Sequence, residues 1–226
     1  MTSIHDDLDA ALAPTEFIDC ASPAILDFVR ERTAGATTPV ERAVALFYAA
    51  RDGIEYRLMS RLGLERDGFV ASATLARGSG FCIEKAVLLA AACRAAGIPA
   101  LLRFADVRNH LTTPEMARFM GTDVFAWHGL VEMLLDGRWV KSTPAFDRKM
   151  CEEHGVRPID FDGLRDAVFH EFDIRENRHM EYVRERGVFA DLPYEDIVST
   201  FRTDYPRMYR CKGASAGDSS HPRKRG

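Results

Sequence analysis

The sequence predicts an α+β domain in which a buried helix, carrying a cysteine at its start, packs on an antiparallel β-sheet. Three observations predict it. Residues 83–96 form an Ala- and Leu-rich run whose interior, from Ala86 to Ala92, holds no polar residue. A helix of that kind needs cover on nearly all sides, which a sheet on one face and helices on the other supply. Residues 124–135 and 138–143 are β-rich runs separated by Asp136-Gly137, the dipeptide favoured in two-residue hairpin turns. The length of 226 residues, against about 150 per domain, fits one compact domain with an extension.

Taken in order, residues 24–32 place Ile25, Phe28 and Val29 at helical spacing after the Ser22-Pro23 start signal, and residues 40–50 do the same after Thr38-Pro39, predicting two N-terminal helices. Residues 54–59 and 69–75 are short and mixed, with Gly63 and Gly68 between them, and read as loop or brief strand. The buried helix closes on Gly97 with Pro99 two residues later, a regular helix stop. Residues 98–107 read as a strand and 114–120 as a short polar helix, before the hairpin. Residues 149–154 suggest one or two helical turns, 161–182 show no clear period, and 193–201 suggest a last helix. From Lys212 onward Gly, Ser, Asp, Pro and basic residues leave nothing to bury, which predicts a disordered tail over 212–226. The expected organisation is therefore N-terminal helices (1–50) on a core (51–147), followed by an extension of the same domain (148–211) that caps a groove.

The composition excludes several classes of function. A hydrophobic fraction of 46% and a charged fraction of 28% are ordinary for a protein that buries a core. A net charge of −4 is too weak, and of the wrong sign, to draw the chain onto nucleic acid. Five cysteines, at 20, 82, 93, 151 and 211 with no C-x-x-C pair, signal neither a disulfide framework nor a structural zinc cluster. With no secretory signal and no membrane span legible, the expectation is a cytoplasmic chain that engages no membrane. The Cys151-Glu-Glu-His154 spacing lacks further ligands, so neither metal nor other cofactor is expected.

Cys82 follows Gly78-Ser79-Gly80-Phe81 at the predicted N-terminus of the buried helix, where unpaired backbone NH groups and the helix dipole favour a thiolate. Such positions lower thiol pKa values to roughly 3.5–7.5 when a cation is also near. Glycines at 78 and 80 leave room for a substrate to approach the sulfur, and the NH of Cys82 can point at a developing oxyanion. A thiol nucleophile needs a base, and His128 lies at the entry to the hairpin. Antiparallel pairing through Asp136-Gly137 brings Thr143 and Asp147, at the far end of the facing strand, towards it as groups that could hold the ring.

Gly80-Phe-Cys82-Ile-Glu-Lys-Ala86 through Cys93-Arg94-Ala-Ala-Gly97-Ile98-Pro99-Ala100, then His128-Gly-Leu-Val-Glu132, then Gly137-Arg-Trp139, closely resembles the bacterial transglutaminase-like superfamily in order and spacing over residues 50–147. The resemblance implies a papain-like Cys-His-Asp core. Two departures stand out: Leu130 where the family usually has Trp, and Thr143-Pro144 where it has an Asp-Pro pair. Thr143 can orient the imidazole without charge, and Asp147 is the alternative acid. The resemblance also suggests Tyr56, in Ile54-Glu-Tyr56, as a second oxyanion donor. Lys85, one helical turn past Cys82, could add positive charge or merely reach solvent, and Trp127 could wall the pocket or pack in the core.

The expected function is cysteine-dependent acyl transfer on an amide, ester or thioester through an acyl-enzyme at Cys82. Water as the resolving nucleophile makes it an amidase or peptidase, and an amine makes it an acyltransferase; the partner is a peptide, amide or thioester substrate. The alternative is a catalytically degenerate binding or scaffold protein of the same fold.

Overall fold

A computed structural model describes residues 3–58 and 64–206. A 3₁₀ turn at Ile4–Asp6 leads into α1 (Leu8–Leu12), α2 (Pro23–Arg32) and α3 (Pro39–Gly53). The last is opened by a reciprocal cap in which Thr38 Oγ1 accepts from Glu41 N and the Glu41 carboxylate accepts from Thr38 N. β1 (Glu55–Tyr56), a 3₁₀ turn at Arg66–Phe69, α4 (Ala71–Arg77) and β2 (Ser79–Gly80) precede α5 (Cys82–Ala95). Then follow β3 (Ala100–Asn109), α6 (Pro114–Met120), β4 (Val124–Leu135), β5 (Arg138–Ser142), α7 (Arg148–His154), β6 (Met180–Phe189) and α8 (Tyr194–Asp204).

Twelve of the fourteen residues of α5 are buried, because β3 and β4 cover one side and α2, α3 and α4 the other. The sheet runs β5-β4-β3-β6, antiparallel throughout. The hairpin turns at Asp136 (φ 47°) and Gly137 (φ 76°), both left-handed as a type I′ turn demands. A small parallel pair, β1 with β2, sets Tyr56 beside Gly80.

Two elements depart from the sequence expectation. Residues 71–77 form the helix α4 rather than a loop or strand, ended by Gly78 in the left-handed region. β6 was not legible, since most of its residues are exposed or half-buried: it is an edge strand, without the apolar alternation of a half-buried one. The segment before it is irregular but anchored, with Ala167 bridged to Ser142 and Phe172 to Arg178. The expected disordered tail at 212–226 lies outside the described residues.

Candidate active site

Cys82 is the first residue of α5 and is partly exposed. Ahead of it the Glu84 carboxylate turns back to accept from Phe81 N at 3.0 Å and pairs with Arg77 at 2.8 Å. Gly78 ends α4 in the left-handed region, and Gly80 serves this turn. A Cβ on Gly80 would lie 3.0 Å from Glu84 Oε2 and 3.3 Å from Thr74 Cγ2. The expected depressed thiol pKa is not what this environment produces: the group is pushed up to about 11, chiefly by burial, with Glu84 adding repulsion. Backbone NH groups of Gly129 and Ile83 act in the opposite sense on the sulfur, so anion-stabilising donors are present but outweighed.

Gly129 has a further role. A Cβ there would lie 3.0 Å from the Cys82 carbonyl oxygen, 3.1 Å from Ala86 Cβ and 3.2 Å from Ile83 Cα. These are atoms of the helix itself, so α5 approaches β4 closely at this point because residue 129 has no side chain.

His128 follows an irregularity in the β3–β4 ladder. Val107 pairs with Phe125 and Ala105 with His128, so Ala126 and Trp127 together oppose Asp106, a bulge. Trp127 takes φ 60°, and its NH donates to Asp106 Oδ1 at 3.0 Å, which Arg186 Nε also reaches at 2.8 Å. The imidazole is only 2% exposed. Its Nε2 lies 3.1 Å from Thr143 Oγ1, which lies 3.2 Å from the Gly129 carbonyl oxygen. A hydroxyl has one proton. Both contacts are satisfied together when Thr143 donates to the carbonyl and accepts from Nε2–H, an arrangement that assigns the tautomer with Nδ1 bare. Burial pulls the His128 pKa down to about 3, so the ring is neutral at neutral pH. Phe169 covers it, the ring centroids 4.4 Å apart. Cys82 and His128 line one small cavity with Tyr56, Phe146, Phe169 and Met180.

Asp147 sits elsewhere. One of its carboxylate oxygens accepts from Met150 N at 2.8 Å, capping α7, and the other accepts from Tyr56 N at 2.8 Å. The chain beyond Pro144 thus turns towards β1, and Thr143 is the side chain hydrogen-bonded to the imidazole. Asp147 instead fixes the backbone of Tyr56, whose ring packs edge-on against Phe146 and lines the Cys82 cavity. Lys85 neither reaches solvent nor bonds the sulfur. It is fully buried, and its Nζ donates to the carbonyls of Arg51 and Ile54 at 2.8 and 2.6 Å, satisfying the C-terminal end of α3. Burial lowers its pKa to about 7. Trp127 packs in the core: it touches Phe104 and Phe189, carries Arg186 over its face and donates from Nε1 to Thr200 Oγ1 at 2.9 Å. Among the described residues no group of three or more His, Cys, Asp or Glu could hold a metal.

Sequence reasoning missed Phe169, which packs on the histidine, and Phe146, which lines the same cavity. Phe169 arrives from an irregular segment held to β5 by Thr143 N→Ala167 O and Ala167 N→Lys141 O, at 2.9 and 2.8 Å, and no periodicity marks such a segment. Gly129 stood inside the matched motif, but its steric role depends on a helix distant in sequence.

These features define an α+β protein with a cysteine at a helix start and a histidine on the neighbouring sheet. Residues 27–144, slightly more than half of the chain, match the model of the transglutaminase-like superfamily, and the chain belongs to that superfamily. No curated protein matches it in sequence. Among solved structures it is similar to a candidate cysteine protease of Cytophaga hutchinsonii, with 15% identity and a TM-score of 0.47 over 83% of this chain and 57% of the other. It is also similar to a candidate protease of Parabacteroides distasonis, with 18% identity and a TM-score of 0.37 over 59% of this chain and 24% of the other. The chain therefore spans somewhat over half of the first of these and about a quarter of the second. No helix among the described residues is long and apolar enough to cross a membrane.

Proposed function

We propose that this protein is a cysteine-dependent acyl-transfer enzyme acting on an amide, ester or thioester carbonyl through an acyl-enzyme at Cys82. The observation that carries the reading is the hydrogen-bonded chain from His128 Nε2 through Thr143 Oγ1 to the Gly129 carbonyl, which assigns the proton to Nε2 and leaves Nδ1 bare in the ring that shares a cavity with the thiol. Because burial keeps both groups neutral, no preformed ion pair is needed. As Cys82 Sγ attacks the carbonyl carbon, its proton passes to Nδ1, and the tetrahedral oxyanion forms beside the backbone NH groups at the start of α5. The imidazolium then gives that proton to the leaving nitrogen, oxygen or sulfur. Water or an amine, deprotonated by Nδ1, resolves the acyl-enzyme, which makes the protein a hydrolase in the first case and an acyltransferase in the second. Tyr56 is the side-chain candidate for stabilising the oxyanion, since it borders the same cavity.

A peptide or related amide is the natural substrate class for this chemistry. The cytoplasm suits an unprotected nucleophilic thiol in a chain whose described cysteines are all free. A degenerate binding protein is the second reading, favoured by the absence, among the described residues, of a carboxylate hydrogen-bonded to His128 and by the raised thiol pKa. Incubation with p-nitrophenyl acetate and peptide mapping by mass spectrometry separates the two. An enzyme accumulates one acetyl group on Cys82, lost in Cys82→Ser and slowed in His128→Ala. No adduct, or one formed equally without His128, supports the binding protein.

A further inference from the structure

We propose that the substrate carries a short apolar acyl group on a larger, amphipathic leaving group; this rests on the acyl-transfer reading above and assigns the two sides of its site. Cys82 borders a recess of about 50 Å³, walled by Phe69, Phe81, Phe125, Phe201 and Tyr205 among others. On the other side of Tyr56 and Phe125, which border both spaces, opens a trough of about 370 Å³ that includes Asn109, Lys149, Glu153 and His154.

Chemistry decides which is which. The histidine that takes the thiol proton must return it to the leaving atom, so the leaving group lies on the His128 side and the acyl group away from it. The cavity that contains His128 shares Asn109 and Phe146 with the trough. The recess instead shares Cys82 with that cavity and extends towards Phe81, Ala126 and α8. The trough therefore takes the leaving group and the recess the acyl group.

Size follows from volume. An apolar cavity of about 150 Å³ takes a benzene ring, so the recess of about 50 Å³ takes about two carbon-sized groups, the alkyl part of an acetyl or propionyl chain. A hexanoyl or benzoyl group overfills it. On one side its wall is fixed: Phe81, Phe201 and Tyr205 are buried, and the Tyr205 hydroxyl is tied to β4, accepting from Ala126 N at 2.6 Å and donating to the Val124 carbonyl at 3.0 Å. The trough combines apolar walls, among them Leu111, Phe146 and Met150, with the charged side chains of Lys149 and Glu153, and suits an amphipathic amine, alcohol or thiol.

The test compares kcat/KM for p-nitrophenyl acetate, propionate, butyrate and hexanoate, each divided by its uncatalysed hydrolysis rate, in the wild type, Phe201→Leu and Phe125→Ala. Cys82→Ser is the blank, and urea midpoints identify variants that fail to fold. The inference predicts that acetyl and propionyl exceed hexanoyl by at least about tenfold in the wild type. Phe125→Ala, at a half-buried position, opens the recess into the trough and narrows that ratio, and Phe201→Leu narrows it in the same direction. Equal efficiency across the series, with Cys82-dependent turnover, overturns the inference and leaves the acyl chemistry standing. Absence of Cys82-dependent turnover with every ester overturns the chemistry itself, and the assignment of the two sides with it.

Discussion

Replacing Thr143 by Val tests the link between fold and chemistry with little change of shape. Thr143 is fully buried, and its hydroxyl both accepts from His128 Nε2 and donates to the Gly129 carbonyl. Valine keeps the branched volume and removes that bridge, leaving a buried NH without a partner. Such a loss costs about 1–3 kcal/mol. In catalysis the same bond holds the ring while Nδ1 becomes protonated and the imidazole gains positive charge, so a similar amount appears in the barrier. That corresponds to acylation of Cys82 about 5- to 160-fold slower. Single-turnover acylation by p-nitrophenyl acetate, read by mass spectrometry, gives the rate, and urea unfolding gives the stability. Thr143→Ser, which restores the hydroxyl, recovers most of the rate. Thr143→Asp places a carboxylate beside Nε2, which favours the imidazolium and raises the His128 pKa above its present value of about 3. If Thr143→Val folds normally and acylates at the wild-type rate, the tautomer argument fails.

Three further outcomes follow. Gly129→Ala drives a Cβ into the start of α5, and since the obstructing atoms belong to the helix, urea unfolding should show a loss of about 1–3 kcal/mol, together with slower acylation as Cys82 moves. Lys85→Met leaves the carbonyls of Arg51 and Ile54 without their donor and should cost about 2 kcal/mol. Because the folded pKa of Lys85 is about 7 against 10.5 for the ordinary group, the unfolded chain binds more protons between those values, and wild-type stability rises with pH there. The gap between wild type and Lys85→Met therefore widens from pH 7 towards pH 9, by up to about 1.4 kcal/mol per pH unit, and a constant gap contradicts the buried amine. In His128→Ala, where no imidazole assists, alkylation of Cys82 by iodoacetamide should be slow at pH 7 and still climbing at pH 10, as a thiol near 11 requires; a plateau reached below pH 8 contradicts the raised thiol pKa.

Much of the candidate site was legible in local sequence. The Gly-Ser-Gly-Phe-Cys run, the unbroken apolar helix behind it and the Asp136-Gly137 turn locate Cys82, His128 and Thr143, because each is a short-range signal with one structural solution. What was not legible depends on distant partners. The helix N-terminus alone suggested a thiolate, but Glu84 and burial by the surrounding elements reverse the balance. Asp147 looked like an acid for His128 by strand position, yet the chain leaves the sheet after Pro144 and spends the carboxylate on α7 and β1. Lys85 has the spacing of a solvent-facing residue, and only the arrival of the α3 terminus above it explains its burial. β6 and the segment carrying Phe169 lack a pattern because one is an edge strand and the other is held by bridges rather than by a regular ladder.

The pH dependence of single-turnover acylation at Cys82, in the wild type and in His128→Ala, tests most directly whether Nδ1 of His128 takes the thiol proton. The account predicts a wild-type rate nearly flat from pH 5 to pH 9, since the base is already neutral across that range. In His128→Ala the rate should fall by about a hundredfold or more at pH 7 and gain roughly tenfold with each pH unit, because only the thiolate then reacts. Equal rates with the same slope in both proteins would contradict it.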